Sequence, residues 1–550
     1  FLKTIIILFS HIYSMNKTSF ATRLYCFYFF IIMVSCNNPE ITVLSNCVVP
    51  SHPGANSISF SKGKVIDVGN NLSGDLIINL NGGFVYPGFS DSHMHLVGYG
   101  KSLEKLDLVE TKSISEIKNI VSNSYDQSNK WIEGRGWDQN DWENIIYPTK
   151  EDLDLVAKDQ PVYLRRIDGH AAWVNSKVLS ICGINDKTKD PQGGKIIRDQ
   201  NGIPTGIFID NAIDLIEKFL PEDTYVDKKR YIEKAVNSLN KFGLTSIHDA
   251  GTDIETIKIL KELIQHKQLS IRVNAMLNND VNDYNFHINN GPERINDFLF
   301  INSIKIYFDG AMGSRGAYLL EPYSDDLDNV GLTITTEDNI RKKVKIFNEA
   351  GFQVAIHCIG DKANRIALDI FEEIDNKSSR NRIEHAQIIH EDDIQRFVKL
   401  GVIPSMQPTH CTSDMYWIDE RLGADRIHQA YPWNSLLNTG SIVPGGSDAP
   451  VEIPDPLLGI YASTTRKDIN NWPEGGWMPD ERMTIDQAIL SITEWSAYSM
   501  FAENFYGKID RGYLADFTVL NNNLSSIDPI NIPDVTVLYT FVNGEIAYQY

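Results

Sequence analysis

Short apolar segments alternate with amphipathic helical patterns through the middle of this 550-residue chain, and this alternation constrains its fold more than any other feature. Helical patterns cover, for example, residues 337–350, which Gly351 follows, and residues 362–374. Eight strands in βα alternation are typical of an α/β fold, the (β/α)8 barrel, whose functional groups gather at the carboxyl ends of the strands. The candidate strands are 84–87, 244–248, 270–277, 303–308, 352–357, 382–386, 402–407 and 442–446.

One connection in this alternation is much longer than the others. About 150 residues separate the first two candidate strands, far more than a usual βα crossover requires. We therefore predict a large insertion after strand 1, an inserted subdomain over about residues 100–235. It is rich in tryptophan, with Trp131, Trp137, Trp142 and Trp173.

Both ends of the chain have a different pattern, with short strands separated by glycine and asparagine turns. Residues 41–86 and 507–550 share this pattern. We therefore predict that the two termini meet in one small β-sandwich domain, formed from both segments, and that residues 87–506 form the barrel.

Charge and cysteine content exclude two classes of protein. Lysine and arginine number 51 against 72 acidic residues, which gives a formal net charge of −21. A chain this acidic repels phosphate backbones, so no nucleic-acid partner is expected. Six cysteines in 550 residues are too few for a disulfide scaffold.

A secretory signal is predicted near the start of the sequence. Lys17 and Arg23 follow Met15, and an uninterrupted apolar run then covers residues 25–34. Ten apolar residues are too few to cross a bilayer core of about 30 Å, but they fit the h-region of a signal peptide.

The segment Met-Val-Ser-Cys at 33–36 is similar to a bacterial lipobox. This similarity predicts lipidation of Cys36 and a lipid-anchored lipoprotein in the bacterial cell envelope. An ordinary signal peptide with an incidental cysteine stays open as the alternative. In both cases residues 1–36 are assigned to targeting rather than to the fold.

A set of histidine and aspartate residues predicts a metal site. His93 and His95 stand at i and i+2 of an extended segment, so both imidazoles project to the same side and can reach one ion. Such a pair is weak evidence alone. His357 and His385, however, each lie at the end of a predicted strand, and Asp448 follows another. A barrel brings these strand ends together, and we therefore predict that the five side chains converge.

Lys305 lies in a strand whose alternation over residues 304–309 directs it, with Tyr307 and Asp309, into the barrel. Burying an ammonium group costs several kcal/mol unless the group is paired, neutralised or modified. Two interpretations stay open. Lys305 either pairs with Asp309 or Asp249, or reacts with CO₂ to give a carbamate, which is an anionic oxygen ligand.

Nine motifs follow one another along the chain. They are PGFSDSHMHL (87–96), WIEGRGWD (131–138), RRIDGHAAWVNS (165–176), KIYFDGAMGSRGA (305–317), HCIGDKA (357–363), RIEHAQ (382–387), SMQPTH (405–410), PGGSDAPVE (444–452) and GKIDRGYLADFTVL (507–520). With this set in this order, the chain from about residue 41 to 550 resembles the amidohydrolase superfamily. More narrowly, it resembles the YtcJ-like or N-substituted formamide deformylase group, amidohydrolase family 3. The resemblance implies a distorted TIM (β/α)8 barrel with a β-sandwich built from both termini.

The resemblance also implies a ligand set and a chemistry. Zn²⁺ is the expected cofactor, as one or two ions, and another divalent metal stays open. A bound zinc ion lowers the pKa of water from 15.7 to about 7, which supplies hydroxide at neutral pH. Asp448 would act as general base and then as general acid. The implied ligands are His93, His95, His357, His385, Asp448 and Lys305, the last as a carboxylated bridge.

The implied activity is hydrolysis of a carbon–nitrogen bond, other than a peptide bond, in a small-molecule amide or N-substituted formamide. A deaminase or cyclic-amide hydrolase of the same superfamily is one alternative, because the same ligands serve several reactions. A non-catalytic substrate-binding lipoprotein is another. A homodimer stays open.

Four residues are candidates for substrate binding. The resemblance suggests that the loop carrying His170 approaches the pocket. Gln407 and His410 follow strand seven at the active end of the barrel. Arg315 can grip a carboxylate or pair with an acidic neighbour. One departure is visible beside it, since Gly316 stands where relatives usually carry threonine.

Overall fold

The computed structural model describes residues 40–109, 111–125, 131–139, 142–143, 146–166, 171–191 and 194–550. The predicted signal segment with Cys36, and the substrate-binding candidate His170, lie outside these residues, and their assignments stay predictions. Within the described ranges, no helix is both long enough and apolar enough to span a membrane.

The described residues form short strands and helices in alternation. The strands are β1 Thr42–Ser45, β2 Ser57–Ser61, β3 Lys64–Gly69, β4 Leu76–Asn79, β5 Phe84–Pro87, β6 Phe89–Met94, β7 Leu106–Asp107, β8 Ile132–Trp137, β9 Val162–Arg166, β10 Ala171–Val174, β11 Gly194–Arg198, β12 Pro204–Asp210, β13 Leu244–Thr252, β14 Arg272–Leu277, β15 Glu293–Ile295, β16 Leu299–Tyr307, β17 Gln353–Cys358, β18 Arg382–His385, β19 Ile403–Ser405, β20 Phe517–Leu520, β21 Val537–Val542 and β22 Glu545–Gln549. The α-helices are α1 Leu96–Ser102, α2 Ile114–Ser124, α3 Lys150–Ala157, α4 Ser176–Cys182, α5 Asp214–Glu217, α6 Tyr225–Lys241, α7 Ile254–Gln265, α8 Val281–Asn290, α9 Glu337–Glu349, α10 Asp361–Ile374, α11 Glu391–Leu400, α12 Pro408–Asp414, α13 Ile418–Leu422, α14 Trp433–Asn438, α15 Pro456–Thr465, α16 Ile485–Ser491 and α17 Glu494–Ser499.

A parallel barrel forms the centre of the molecule. Its strands follow the order β19, β18, β17, β16, β14, β13 and β6, and the short β15 pairs antiparallel with the first residues of β16. The segment around Gly445 nearly closes the gap, because Gly445 forms a parallel bridge with Met406 and accepts a hydrogen bond from the Ser92 amide at 3.0 Å. The predicted α/β barrel is therefore confirmed. The predicted eighth strand 442–446 is reduced to this bridge, and Pro444, which has no N–H, interrupts the ladder there.

The assignment of the first predicted strand, 84–87, to the barrel is wrong. This segment is β5, which pairs antiparallel with β20, and the barrel begins after Gly88 with β6. Gly88 separates the two strands. A Cβ atom at Gly88 would lie 2.1 Å from Thr245 Oγ1, so only glycine allows the chain to pass so close to β13 as it crosses between the sheets.

Two four-stranded sheets are built from the ends of the chain. One has the order β3, β2, β1, β4, and the other has the order β22, β21, β20, β5. The second sheet therefore joins a strand from before the barrel to three strands from after it. The domain boundaries proposed from the sequence stay predictions. The two sheets share one buried apolar cluster, which includes Leu44, Ile58, Phe60, Val85, Phe517 and Phe541.

The long connection after β6 contains a sheet of its own, with the order β11, β12, β10, β9, β8, β7. Trp137, Trp142 and Trp173 lie in its core, with ring centroids of Trp137 6.1 Å from each of the other two. Their indole N–H groups donate to the backbone carbonyls of Leu164, Thr111 and Thr149. These three tryptophans therefore serve the packing of the insertion, because buried indoles need such partners.

A buried ion pair joins the barrel to the sheet of the C-terminal segment. The Arg272 guanidinium on β14 donates to both carboxylate oxygens of Asp516, at 2.5 and 2.7 Å. The side chains are 0% and 2% exposed, so water does not compensate either charge. The Asn543 amide also donates to Asp516, at 2.7 Å.

We expect Asp516→Asn to lower the free energy of unfolding by about 3–5 kcal/mol, because it leaves the buried Arg272 cation without its counter-charge. Urea unfolding followed by fluorescence measures this loss. Lys345→Ala is the control, since the pair of Lys345 with Glu349 is well exposed, and we expect a change within about 0.5 kcal/mol there. Equal midpoints for the two variants would contradict the structural role of the buried pair.

Candidate metal centre

His93 and His95 reach the centre from the carboxyl end of β6. Every residue of β6 is buried, and His95 immediately precedes α1. His93 Nε2 lies 3.6 Å and His95 Nε2 lies 3.1 Å from the same atom, Asp448 Oδ1. The extended backbone thus directs both imidazoles to one side, as the i, i+2 spacing predicts.

His357 and His385 approach from the ends of β17 and β18. Their ring centroids are 4.5 Å apart, and the His385 ring lies 4.9 Å from that of His93. His385 has a positive φ of 72°, a backbone conformation that non-glycine residues rarely adopt. His385 Nδ1 contacts Gln407 Oε1 at 2.8 Å, so this nitrogen carries the proton and Nε2 is left free.

Asp448 lies in the loop that closes the barrel. This loop packs closely on β6. A Cβ atom at Gly446 would lie only 2.5 Å from the His93 amide nitrogen, so the close approach requires glycine there. The buried Asp91 carboxylate fixes the contact by accepting hydrogen bonds from the Ser447 hydroxyl at 2.5 Å and from the His93 amide at 3.0 Å. Asp448 has a positive φ of 59°, which directs its carboxylate towards the histidines.

Lys305 on β16 lies beneath the histidines and is 1% exposed. Its Nζ atom is 3.2 Å from His93 Nε2. Among the described residues, no carboxylate lies within ion-pair distance of Nζ. The two predicted partners are engaged elsewhere: Asp249 accepts from the Leu96 amide, and Asp309 accepts from the Ile359 and Gly360 amides. The interpretation that Lys305 pairs with Asp309 or Asp249 is therefore wrong.

The protonation states of the centre suit a cation. Burial, and next the charge of Lys305, lower the pKa of His93 to about 4 and that of His357 to about 3, so both imidazoles are neutral at pH 7. Burial lowers the pKa of Lys305 to about 8. For Asp448, burial alone would raise the pKa, but the hydrogen bond to His95 and the electrostatic interaction with the neighbouring histidines hold it well below its usual range.

The donor atoms fit a divalent metal ion. His93, His385 and Asp448 offer ligand atoms that all lie within 4.8 Å of one another. His357 Nε2 is buried and has no hydrogen-bond partner among the described residues. Neutral imidazole nitrogens and carboxylate oxygens are the ligands that Zn²⁺ and similar ions prefer. A cation at this place would satisfy polar atoms that are otherwise costly to bury.

The described candidates for substrate binding have different surroundings. The Gln407 side chain forms the hydrogen bond with His385 described above. His410 stacks on the His385 ring at 6.1 Å, and its Nε2, also without a partner, lies 3.9 Å from Asp448 Oδ2. Arg315 donates to both carboxylate oxygens of Asp325, at 2.7 and 3.1 Å, and this is the acidic neighbour that the sequence left open.

Arg382 and Glu384 are residues of the centre that the sequence patterns did not predict. Both are 0% exposed on β18, and the Glu384 carboxylate contacts His93 Nδ1. Burial alone would raise the pKa of Glu384, but the charge of Arg382 and the contact with His93 hold it well below its usual range. A signal was present in the motif RIEHAQ, where two charged residues at i and i+2 flank Ile383 in a predicted barrel strand, and alternation directs both to the same face as each other.

The fold and the donor set define a barrel hydrolase with a metal centre at the carboxyl ends of its strands. A family model described as amidohydrolase family matches residues 76–548. The chain belongs to this amidohydrolase family, and family and donor set together support a metal-dependent hydrolase that acts on a small molecule.

Known relatives agree with this assignment. The chain is 35% identical over 484 residues to the putative amidohydrolase YtcJ of Bacillus subtilis, covering 86% of this chain and 90% of that protein. It is 24% identical over 492 residues to the N-substituted formamide deformylase of Arthrobacter pascens, covering 86% and 90%. The crystal structure of an uncharacterized metal-dependent hydrolase from Pyrococcus horikoshii superposes with a TM-score of 0.75 at 30% identity, covering 89% and 99%.

Proposed function

We propose that this protein hydrolyses a carbon–nitrogen bond, other than a peptide bond, in a small amide or N-substituted formamide. The observation that carries the proposal is that the buried ligand atoms of His93, His385 and Asp448 lie within 4.8 Å of one another, with the His357 ring 4.5 Å from that of His385. A pocket that only binds an uncharged molecule has no need to gather buried imidazole and carboxylate groups, since burying polar groups costs free energy. The N-substituted formamide deformylase relative supports the choice of bond.

The metal would be held by His93, His95, His357, His385 and Asp448. Zinc, as one or two ions, suits these ligands, and when bound it acidifies a water molecule and polarises a carbonyl group. The chain shields the inner part of the centre from bulk solvent, because His93, Lys305 and His385 are buried, while His95 is 33% exposed on the open side. The shielding strengthens electrostatic interactions at the buried ligands.

Asp448 is assigned the proton transfers. Its ionised carboxylate takes a proton from the attacking water while the new carbon–oxygen bond forms at the acyl carbon. The carbon–nitrogen bond then breaks as the same proton passes to the leaving nitrogen, so the amine departs neutral. His410 Nε2 lies 3.9 Å from Asp448 Oδ2, and an approach of about 1 Å in the substrate complex would let it hold this carboxylate or the departing group by a hydrogen bond.

Lys305 is proposed to be carboxylated. An uncharged amine attacks CO₂ to form a nitrogen–carbon bond and releases one proton, which gives a carbamate. Three observations support this: Lys305 is buried, it lies 3.2 Å from a ligand nitrogen of His93, and no described carboxylate pairs with it. A carbamate oxygen would then join the metal ligands.

A substrate panel tests the proposed function. We expect metal-loaded protein to release free amine from N-substituted formamides or other small amides, and an Asp448→Asn protein to release it about 10²–10⁴-fold more slowly. Cyclic amides and amino-substituted heterocycles in the same panel test the deaminase and cyclic-amide alternatives. Metal-loaded protein that binds members of the panel without converting any of them would contradict the proposal and favour a binding protein.

A further inference from the structure

A row of buried charged and polar side chains lies beneath His93, on the side away from Asp448. Glu384 contacts His93 Nδ1, and the Arg382 guanidinium donates to both Glu384 oxygens, at 2.6 and 3.0 Å. Arg382 also donates to His248 Nδ1, at 2.8 Å. His248, Arg382 and Glu384 are all 0% exposed.

The donors and acceptors of this row fix one arrangement of protons. Arginine only donates, so His248 Nδ1 must accept from Arg382, and the His248 proton therefore lies on Nε2, which contacts Ser496 Oγ at 3.2 Å. An ionised Glu384 only accepts, so the proton that it shares with His93 is carried by Nδ1. His93 Nε2 then carries a lone pair instead of a proton, directed towards Lys305 Nζ at 3.2 Å and Asp448 Oδ1 at 3.6 Å.

We propose that Glu384, held by Arg382, is a positioning residue that keeps the His93 proton on Nδ1 and so presents Nε2 to the metal. The inference rests on the proposed function, because it concerns the same centre. A histidine binds a metal through an unprotonated nitrogen, so the choice of tautomer decides whether His93 is a ligand.

Arg382 is needed in this arrangement because its guanidinium group binds both oxygens of Glu384 and so prevents the carboxylate from rotating. Two parallel N–H groups match the two carboxylate oxygens, a geometry that a lysine cannot reproduce. Arg382 also donates to the Ser405 hydroxyl and to the Ser92 carbonyl, both at 2.8 Å. One guanidinium thus ties β18 to β19 and to β6, the strand that carries His93.

Glu384→Gln tests the proposal with minimal change of shape. The glutamine amide can point its NH₂ group in two ways, and each way sets an N–H of glutamine against an N–H of Arg382. In one of them the NH₂ group also donates a hydrogen bond to His93 Nδ1. The histidine proton must then move to Nε2. We expect metal affinity to fall about 10–100-fold, measured by competition with a chelator. In protein saturated with metal we expect kcat to fall while KM is unchanged, and the absorption spectrum of the cobalt-substituted protein to change.

The matched control is Asp516→Asn, which breaks an equally buried arginine–carboxylate pair that contacts no histidine. We expect this control to lose stability but to keep the metal affinity and cobalt spectrum of the wild type. If Glu384→Gln and Asp516→Asn bind metal equally well, or lose affinity equally, the inference is overturned. If the wild type itself binds no metal, the proposed function is overturned, and the inference with it.

A second measurement needs no change at Glu384. The ¹⁵N spectrum of histidine-labelled, metal-free wild type should show a protonated Nδ1 and an unprotonated Nε2 for His93, the signals being those absent from a His93→Gln protein. A His93 protonated at Nε2 in this spectrum would overturn the inference even if Glu384→Gln does not fold.

Discussion

Asp448→Asn is expected to lower kcat by about 10²–10⁴-fold, the range that general acid–base catalysis contributes. The amide retains the shape of the carboxylate and one oxygen, but it cannot accept the proton of water or return it to the leaving nitrogen. Asparagine also tolerates the left-handed backbone conformation at this position, where φ is 59°, so the loop is expected to keep its course. Steady-state kinetics with a substrate from the panel measures the effect.

The control for this prediction is Asp325→Asn. Asp325 pairs with Arg315 and Arg421 and has no contact with the histidines of the centre. We expect its kcat to stay within a few-fold of the wild type. An Asp448→Asn protein that binds metal, is as thermostable as the wild type and turns over at an undiminished rate would contradict the role of Asp448.

Removal of metal by a chelator is expected to abolish turnover, and Zn²⁺ or another divalent ion is expected to restore it. The chain then offers neutral imidazoles and a carboxylate but nothing that acidifies water to a pKa near 7. The thermal unfolding temperature is expected to fall when the metal is removed and to recover when it is restored. At a free metal concentration of about 100 times Kd, binding stabilises the folded state by about 2.7 kcal/mol, so the Tm of loaded protein is expected to be higher.

A spectroscopic measurement of secondary structure distinguishes loss of the metal ion from loss of the fold. Circular dichroism of the metal-free protein should match that of the loaded protein, because the ligands stand on barrel strands that have their own hydrogen bonds. Full turnover in protein that elemental analysis finds free of metal would contradict the account.

Much of the centre could be predicted because the rules involved are local. Period-two alternation places Lys305 inside the barrel, and the strand ends place His357 and His385 at one edge. Neither inference requires knowledge of distant contacts. The spacing of His93 and His95 on one extended segment is likewise a local pattern, and it predicts that both imidazoles lie on the same side.

The features of the centre and of the fold that the sequence did not predict depend on contacts between distant parts of the chain. Glu384 and His93 are 291 positions apart, and no pattern within β18 indicates which histidine the carboxylate contacts. Gln407 follows the end of β19 and precedes α12, and this turn directs its side chain at His385 rather than at a substrate. The division of residues 84–94 into two strands depends on the close approach of Thr245 to Gly88, a contact between positions 157 apart that no local pattern indicates.

The central claim is that side chains from β6, β17, β18 and the loop at Asp448 share one cation. Anomalous X-ray diffraction from metal-loaded crystals, collected at the absorption edge of the metal, tests it most directly. We predict a peak about 2.0–2.2 Å from His93 Nε2, with His385 and Asp448 also as ligands. A peak only at other residues, or ligand side chains that turn away from it, would contradict the account.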